Sequence, residues 1–261
     1  MASYPALSPP VAFAASSVGL SSVRARGIDN FELAGNPPEA LERFGHAFAV
    51  GDWNGDGVDD LATGLPYDDG VANIQQRIGA VYVQWGIAGV GLAPPGGAVL
   101  LSQEAGPDPP VDDERFGWAL AAGDFDQDGF DDLAVGIPGN EVAGVATGGV
   151  QIYFGSGSSP VFDSGTMLAV PGAVDDGIGL ALAAGDFNND GHDDLAVGIP
   201  LRSTAAGAVR IYYGGPQGFF TAGELLQQDS PSIDDAGEAN DRFGFALAAG
   251  DFDGNGHADL G

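Results

Sequence analysis

One acidic phrase, repeated along the chain, constrains what it can fold into more than any other feature. It reads DFDQDGFDDLAVGIP at 124–138, DWNGDGVDDLATGLP at 52–66 and DFNNDGHDDLAVGIP at 186–200, and its opening returns as DFDGNGHADLG at 251–261. Successive first aspartates lie 72, 62 and 65 residues apart. The flanks repeat too. RFGHAFAVGD (43–52), RFGWALAAGD (115–124), GIGLALAAGD (177–186) and RFGFALAAGD (242–251) precede the loops. A third apolar run follows each whole unit, at 79–86, 148–155 and 207–214, and a weaker fourth at 98–103, 167–170 and 224–228. A chain with this period is an array of similar units, each needing a neighbour to bury its second face.

Each unit reads as four short strands. VYVQW, VQIYF and VRIYY alternate with period two, and turn residues separate the runs. In the first strand, Phe-Gly is followed by Ala alternating with larger residues, which lets several strands converge around a central channel. The fold class expected is all-β: propeller blades of four antiparallel strands, about three and a half of them. A β-sandwich with similar loops does not account for four near-identical segments. The boundaries fall at 1–40 (a leader or partial blade), 41–106, 107–171 and 172–230 (whole units) and 231–261 (a truncated fourth unit). Three and a half blades leave sheet faces open, so the remaining blades are expected from a longer chain or a second copy.

Composition agrees. Of 261 residues, 44 are Gly and 17 Pro, and 44% are hydrophobic, which suits short strands and turns around a core. The net charge is −29 and all eight basic residues are Arg. Such a surface repels nucleic acid and anionic membranes and favours cations. Outside the repeated loops, part of this acidity also fits a solvated, salt-adapted surface. There is no Cys, which removes disulfides and thiolate metal sites. Residues 1–23 carry no charge and include VAFAAS, but no basic segment and no clean apolar stretch marks a signal peptide. No run is long and apolar enough to span a bilayer.

The loops have the form of a cation site. In the second copy, oxygen side chains stand at positions 1, 3, 5 and 9 as Asp124, Asp126, Asp128 and Asp132, with Gly129 at position 6 and the Phe130 carbonyl at position 7. The first copy supplies Asp52, Asn54, Asp56 and Asp60 with Val58; the third supplies Asp186, Asn188, Asp190 and Asp194 with His192. The fourth supplies Asp251, Asp253, Asn255 and Asp259 with His257. Alternating oxygens on a tight loop can surround one hard cation, and the ligand number and flexibility describe Ca²⁺ rather than Mg²⁺. Soft metals prefer the Cys and His ligands that these positions lack. Three to four Ca²⁺ ions are expected. Without them, the clustered carboxylates repel one another. An EF-hand is excluded, because position 12 is Thr63, Val135 or Val197, each in an apolar run, where that motif needs Glu.

The combination resembles the FG-GAP repeats of integrin α-subunit propellers and of many bacterial extracellular proteins. FG is Phe44-Gly45, Phe116-Gly117 and Phe243-Gly244; GAP corresponds to TGLP, VGIP and VGIP. The resemblance covers about 41–261. The third unit departs with Ile178-Gly179, and the fourth carries Asn255 and Ala258 and lacks its GAP strand. The resemblance implies a seven-bladed propeller, secreted or displayed on a surface and bacterial, with calcium between the first and second strands of each blade. It also implies that an unknown protein or glycan ligand binds the opposite rim. That rim would be built from 67–78, 139–147 and 201–206 and from 104–114, 171–177 and 229–241, where Tyr67, Asp68, Asp69 and Arg202 are candidates.

No catalytic set emerges, and the chain is expected not to be an enzyme. There is no Cys nucleophile and no G-x-S-x-G. His192 and His257 fall at position 7 of a loop, and His46 falls on a first strand. The Asp-Asp pairs 59–60, 131–132 and 193–194 read as one ligand plus one outward neighbour. FG-GAP units also accompany hydrolases, including phospholipase-D-type enzymes, so an accessory propeller is the alternative. A carbohydrate-binding propeller is another, with Trp53, Trp85 and Trp118 either core or platform.

Overall fold

The structure is a computed structural model that describes residues 44–68, 77–93, 97–103, 111–142, 144–157, 161–163, 165–174, 176–218, 220–231, 233 and 236–261. The 1–40 segment, and 69–76 (Asp69 among them), 104–110, 143, 175, 232 and 234–235 of the opposite rim, lie outside these residues. Three antiparallel four-stranded sheets follow one another, each a simple meander. The first runs Phe48–Gly51, Asp60–Leu65, Ala80–Gln84 and Val99–Leu101. The second runs Leu120–Gly123, Asp132–Ile137, Gly149–Tyr153 and Thr166–Leu168. The third runs Leu182–Gly185, Asp194–Gly198, Val209–Tyr213 and Thr221–Leu226, so its last strand begins before the 224–228 read from sequence. In the fourth unit, Ala249–Gly250 pairs with Asp259–Leu260, so the strand described above as lacking is begun. The first strands of successive sheets pack side by side, and the sheets fan out from them as propeller blades.

The LAVGIP strand explains how blades stack. Leu133, Val135 and Ile137 pack toward the first blade, in a cluster with Trp53, Val81 and Val83. Ala134 faces the third blade, in a cluster with Leu195, Val197 and Ile199. On this strand, then, the large residues face the preceding blade and the small Ala134 faces the next. The third strand fills the other half: Val150 and Ile152 face the third blade, while Tyr153 faces the first. Burying each such side chain contributes roughly 1.5–3 kcal/mol, and the inter-blade faces hold most of them.

The FG and GAP residues lie at the blade junctions. Isolated parallel bridges join Gly79 to Phe116, Gly148 to Ile178 and Gly207 to Phe243. Ile178 is fully buried at its junction, so it fills the place of Phe116. The GAP glycine meets the next FG glycine: a Cβ on Gly64, Gly136 or Gly198 would lie 2.1, 2.2 or 2.2 Å from the carbonyl oxygen of Gly117, Gly179 or Gly244. Only glycine permits that backbone approach. Among the described residues, no helix is long and apolar enough to cross a membrane.

Candidate metal centre

Each acidic loop joins the first and second strands of a blade and is shaped by its own carboxylates. In the second loop, Asp124 Oδ1 accepts the Asp128 N–H at 3.1 Å and its Oδ2 accepts the Gly129 N–H at 3.0 Å. Asp126 Oδ1 accepts the Asp128 N–H at 3.2 Å, and Asp128 Oδ1 accepts the Phe130 N–H at 2.9 Å. The first and fourth loops repeat this pattern through Asp52, Asn54 and Asp56 and through Asp251, Asp253 and Asn255. The third repeats it through Asp186 and Asp190, whose Oδ1 accepts the His192 N–H. The position-6 glycines adopt φ of +82° to +92°, a left-handed turn that other residues enter at a cost.

The folding gathers the predicted ligands. Carboxylate oxygens of Asp124, Asp126 and Asp128 lie within 4.8 Å of one another, as do those of Asp251, Asp253 and Asp259. In the first loop, Asn54 Nδ2 lies 3.3 Å from Asp60 Oδ2; in the third, Asn188 Nδ2 donates to Asp190 Oδ2 at 3.0 Å. The donor set is all oxygen, compact and anionic, which fits a hard divalent cation.

Position 9 also has a structural task. Asp132 is fully buried; its Oδ1 accepts the Gly155 N–H at 2.9 Å and its Oδ2 the Phe125 N–H at 2.9 Å. It thereby pins the loop to the end of the third strand. Asp194 does the same with Gly214 and Phe187, and Asp60 holds the Gly86 N–H. Burial pushes the Asp132 carboxyl up to about 8 and those of Asp60 and Asp194 up to about 6; the backbone N–H groups oppose this and the nearby loop carboxylates add to it.

Two features were not legible as functional from sequence. At position 8, Asp131 and Asp193 do not stand idle beside a ligand. Asp131 Oδ2 accepts the Asp52 N–H of the preceding blade at 2.7 Å, and Asp193 Oδ2 accepts the Asp124 N–H at 3.1 Å. At position 2, Trp53 and Phe125 are fully buried wedges: Trp53 Nε1 donates to the Asp132 carbonyl at 3.2 Å, and Phe125 packs 5.3 Å from Phe220. The signal was present in the repeated Asp-Asp pair and in the aromatic after the first Asp.

The opposite rim carries a small aromatic group. Trp118 lies 4.4 Å from the His46 ring and 6.1 Å from Tyr67, with the Arg115 guanidinium 5.7 Å above it. Of the three tryptophans only Trp118 is there, since Trp53 is buried and Trp85 stacks on Phe162 in the inter-blade core. Asp68 is buried, while Arg202 is half-buried on a turn in which Ser203 and Thr204 are left-handed.

Comparison with known proteins bears on the whole arrangement. The family model described as FG-GAP repeat matches residues 44–83, 116–153 and 178–212. Phosphatidylinositol-glycan-specific phospholipase D of Rattus norvegicus is 38% identical over 158 residues, covering 56% of this chain and 18% of that protein. Integrin alpha-PS2 of Drosophila melanogaster is 32% identical over 225 residues, covering 83% of this chain and 15% of its own. The chain thus spans less than a fifth of the length of these relatives. Among solved structures, a rhamnogalacturonan lyase of Bacillus licheniformis aligns with 82% of this chain and 39% of its own at TM-score 0.48 and 13% identity.

Proposed function

From the three FG-GAP repeats that this chain carries, of the integrin-α type, we propose that it is a calcium-stabilised propeller module that binds an extracellular protein or glycan and does not itself catalyse. The observation that carries the reading is the repeated gathering of oxygen side chains, which brings Asp124, Asp126 and Asp128 together on one turn. Ca²⁺ would be held by positions 1, 3, 5 and 9 and by the position-7 carbonyl. Bound there, it supplies charge neutralisation and rigidity. Recognition falls to the opposite rim, where Trp118, His46, Tyr67 and Arg115 offer an aromatic and cationic surface.

The test is thermal melting with calcium and with chelator. A site at a hundredfold excess of calcium over its Kd stabilises by about 2.7 kcal/mol, so chelation lowers Tm strongly. For extracellular modules Kd is on the order of 10⁻⁴–10⁻³ M. Asp128→Ala should cost much less in chelator than in calcium. A melting curve unchanged by chelator would remove the metal from the proposal. The similarity to phosphatidylinositol-glycan-specific phospholipase D favours a second reading, an accessory propeller within a secreted hydrolase. A glycan array and an assay for hydrolase activity in the natural protein separate the two.

A further inference from the structure

Asp131 belongs to the second loop but holds the first. Its Oδ2 accepts the Asp52 N–H at 2.7 Å, and its own N–H donates to the Asp52 carbonyl at 3.3 Å. Asp193 of the third loop grips Asp124 of the second in the same way, at 3.1 and 3.0 Å. A further tie joins these two loops, as Gln127 Nε2 donates to the Gly191 carbonyl at 2.7 Å. In each case the gripped residue is position 1 of its loop, whose side chain organises the turn. The gripping residue is followed directly by position 9 of its own loop, Asp132 or Asp194. A cation that orders one loop therefore fixes the aspartate that aims the first carboxylate of the preceding loop.

We propose that Asp131 and Asp193 are positioning residues that couple the calcium sites of neighbouring blades, each serving the preceding loop rather than its own. The inference rests on the calcium reading above. Coupling of this kind is reciprocal, so each site tightens the other.

The fourth unit gives an internal contrast. Ala258 stands where Asp131 and Asp193 stand, and its N–H still donates to the Asp186 carbonyl at 3.3 Å. A Cβ built on Gly185 would lie 2.8 Å from the Ala258 Cβ, against 3.0 and 2.9 Å for Gly51 to Asp131 and Gly123 to Asp193. The backbone is thus placed for the clasp, and only the carboxylate is missing at the third loop.

Calcium titration of the 261-residue chain, followed by NMR at the Gly129 and Gly191 amides, reads the second and third loops separately. Losing one hydrogen bond to a carboxylate, Asp193→Ala should raise the calcium midpoint at Gly129 by about tenfold or more and, because the coupling is reciprocal, raise that at Gly191 by a smaller factor. Asp193→Asn keeps an acceptor and should recover most of the Gly129 affinity. Ala258→Asp should lower the midpoint at Gly191, a gain that misfolding cannot imitate. A weakened Gly191 with an unchanged Gly129 would make Asp193 a ligand of its own loop and overturn the proposal. So would an Ala258→Asp variant that titrates like wild type. If neither amide of the wild-type chain responds to calcium, the metal reading falls together with the coupling; if they respond normally and the variants do nothing, the coupling falls alone.

Discussion

Glu114 shows how far one buried carboxyl can bias this chain. It precedes the first strand of the second blade, on the rim away from the acidic loops, and only 2% of its surface is exposed. Burial pushes its carboxyl up to about 7, against N–H groups of Val111 and Glu141 that pull it down. In the unfolded chain it ionises near 4.5. Between those values the folded chain holds a proton that the unfolded chain has lost. Its contribution to stability is therefore complete below about 4.5 and is lost as pH rises through about 7. Glu114→Gln should gain in Tm relative to wild type as pH is raised through this window, in melts recorded in chelator. A difference that does not vary with pH would refute it. Nothing in the sequence marked Glu114 out, because its burial comes from tertiary packing, which brings Gln103 of the first unit into hydrogen bonding with its side chain. By contrast, the loop positions 1, 3, 5 and 6 were legible: their bonds close within one turn, so local spacing is enough.

At the scale of elements, the strands followed from alternation, since period two fixes which residues share a face. What alternation left open was which face meets which blade. The GAP glycines answer that, because their backbone touches the next FG glycine. Gly136→Ala would place a Cβ 2.2 Å from the Gly179 carbonyl oxygen. Overpacking of this kind costs about 1–3 kcal/mol, with rigid backbone opposite favouring the upper end. Urea unfolding of Gly136→Ala should show that loss, while Gly97→Ala, at a glycine with open space around it, should not. Equal stability for both would mean that the junction is looser than described. The position-8 clasp belongs to this scale as well. As a sequence it was half of an Asp-Asp pair, and its partner lies 79 residues away on another blade.

For the whole molecule, the two outermost described faces differ from the interior ones. Phe48 is 58% exposed where its counterpart Leu120 is 8% exposed, and Phe252 is 64% exposed where Phe125 is fully buried. Val50 and Phe245 are exposed beside them. Apolar side chains gathered on open sheet faces favour association. The chain in calcium should therefore gain apparent mass with concentration in light scattering, and Phe245→Ser with Phe252→Ser should reduce that gain. A compact monomer at all concentrations would count against open faces. By itself the sequence determined the blade, its four strands and the acidic turn, because these depend on alternation and on hydrogen bonds between residues a few positions apart. Only the tertiary structure decided the tasks of Asp131, Asp193, Trp53 and Glu114, because each acts on a residue brought near by the stacking of blades, and no local pattern encodes that contact.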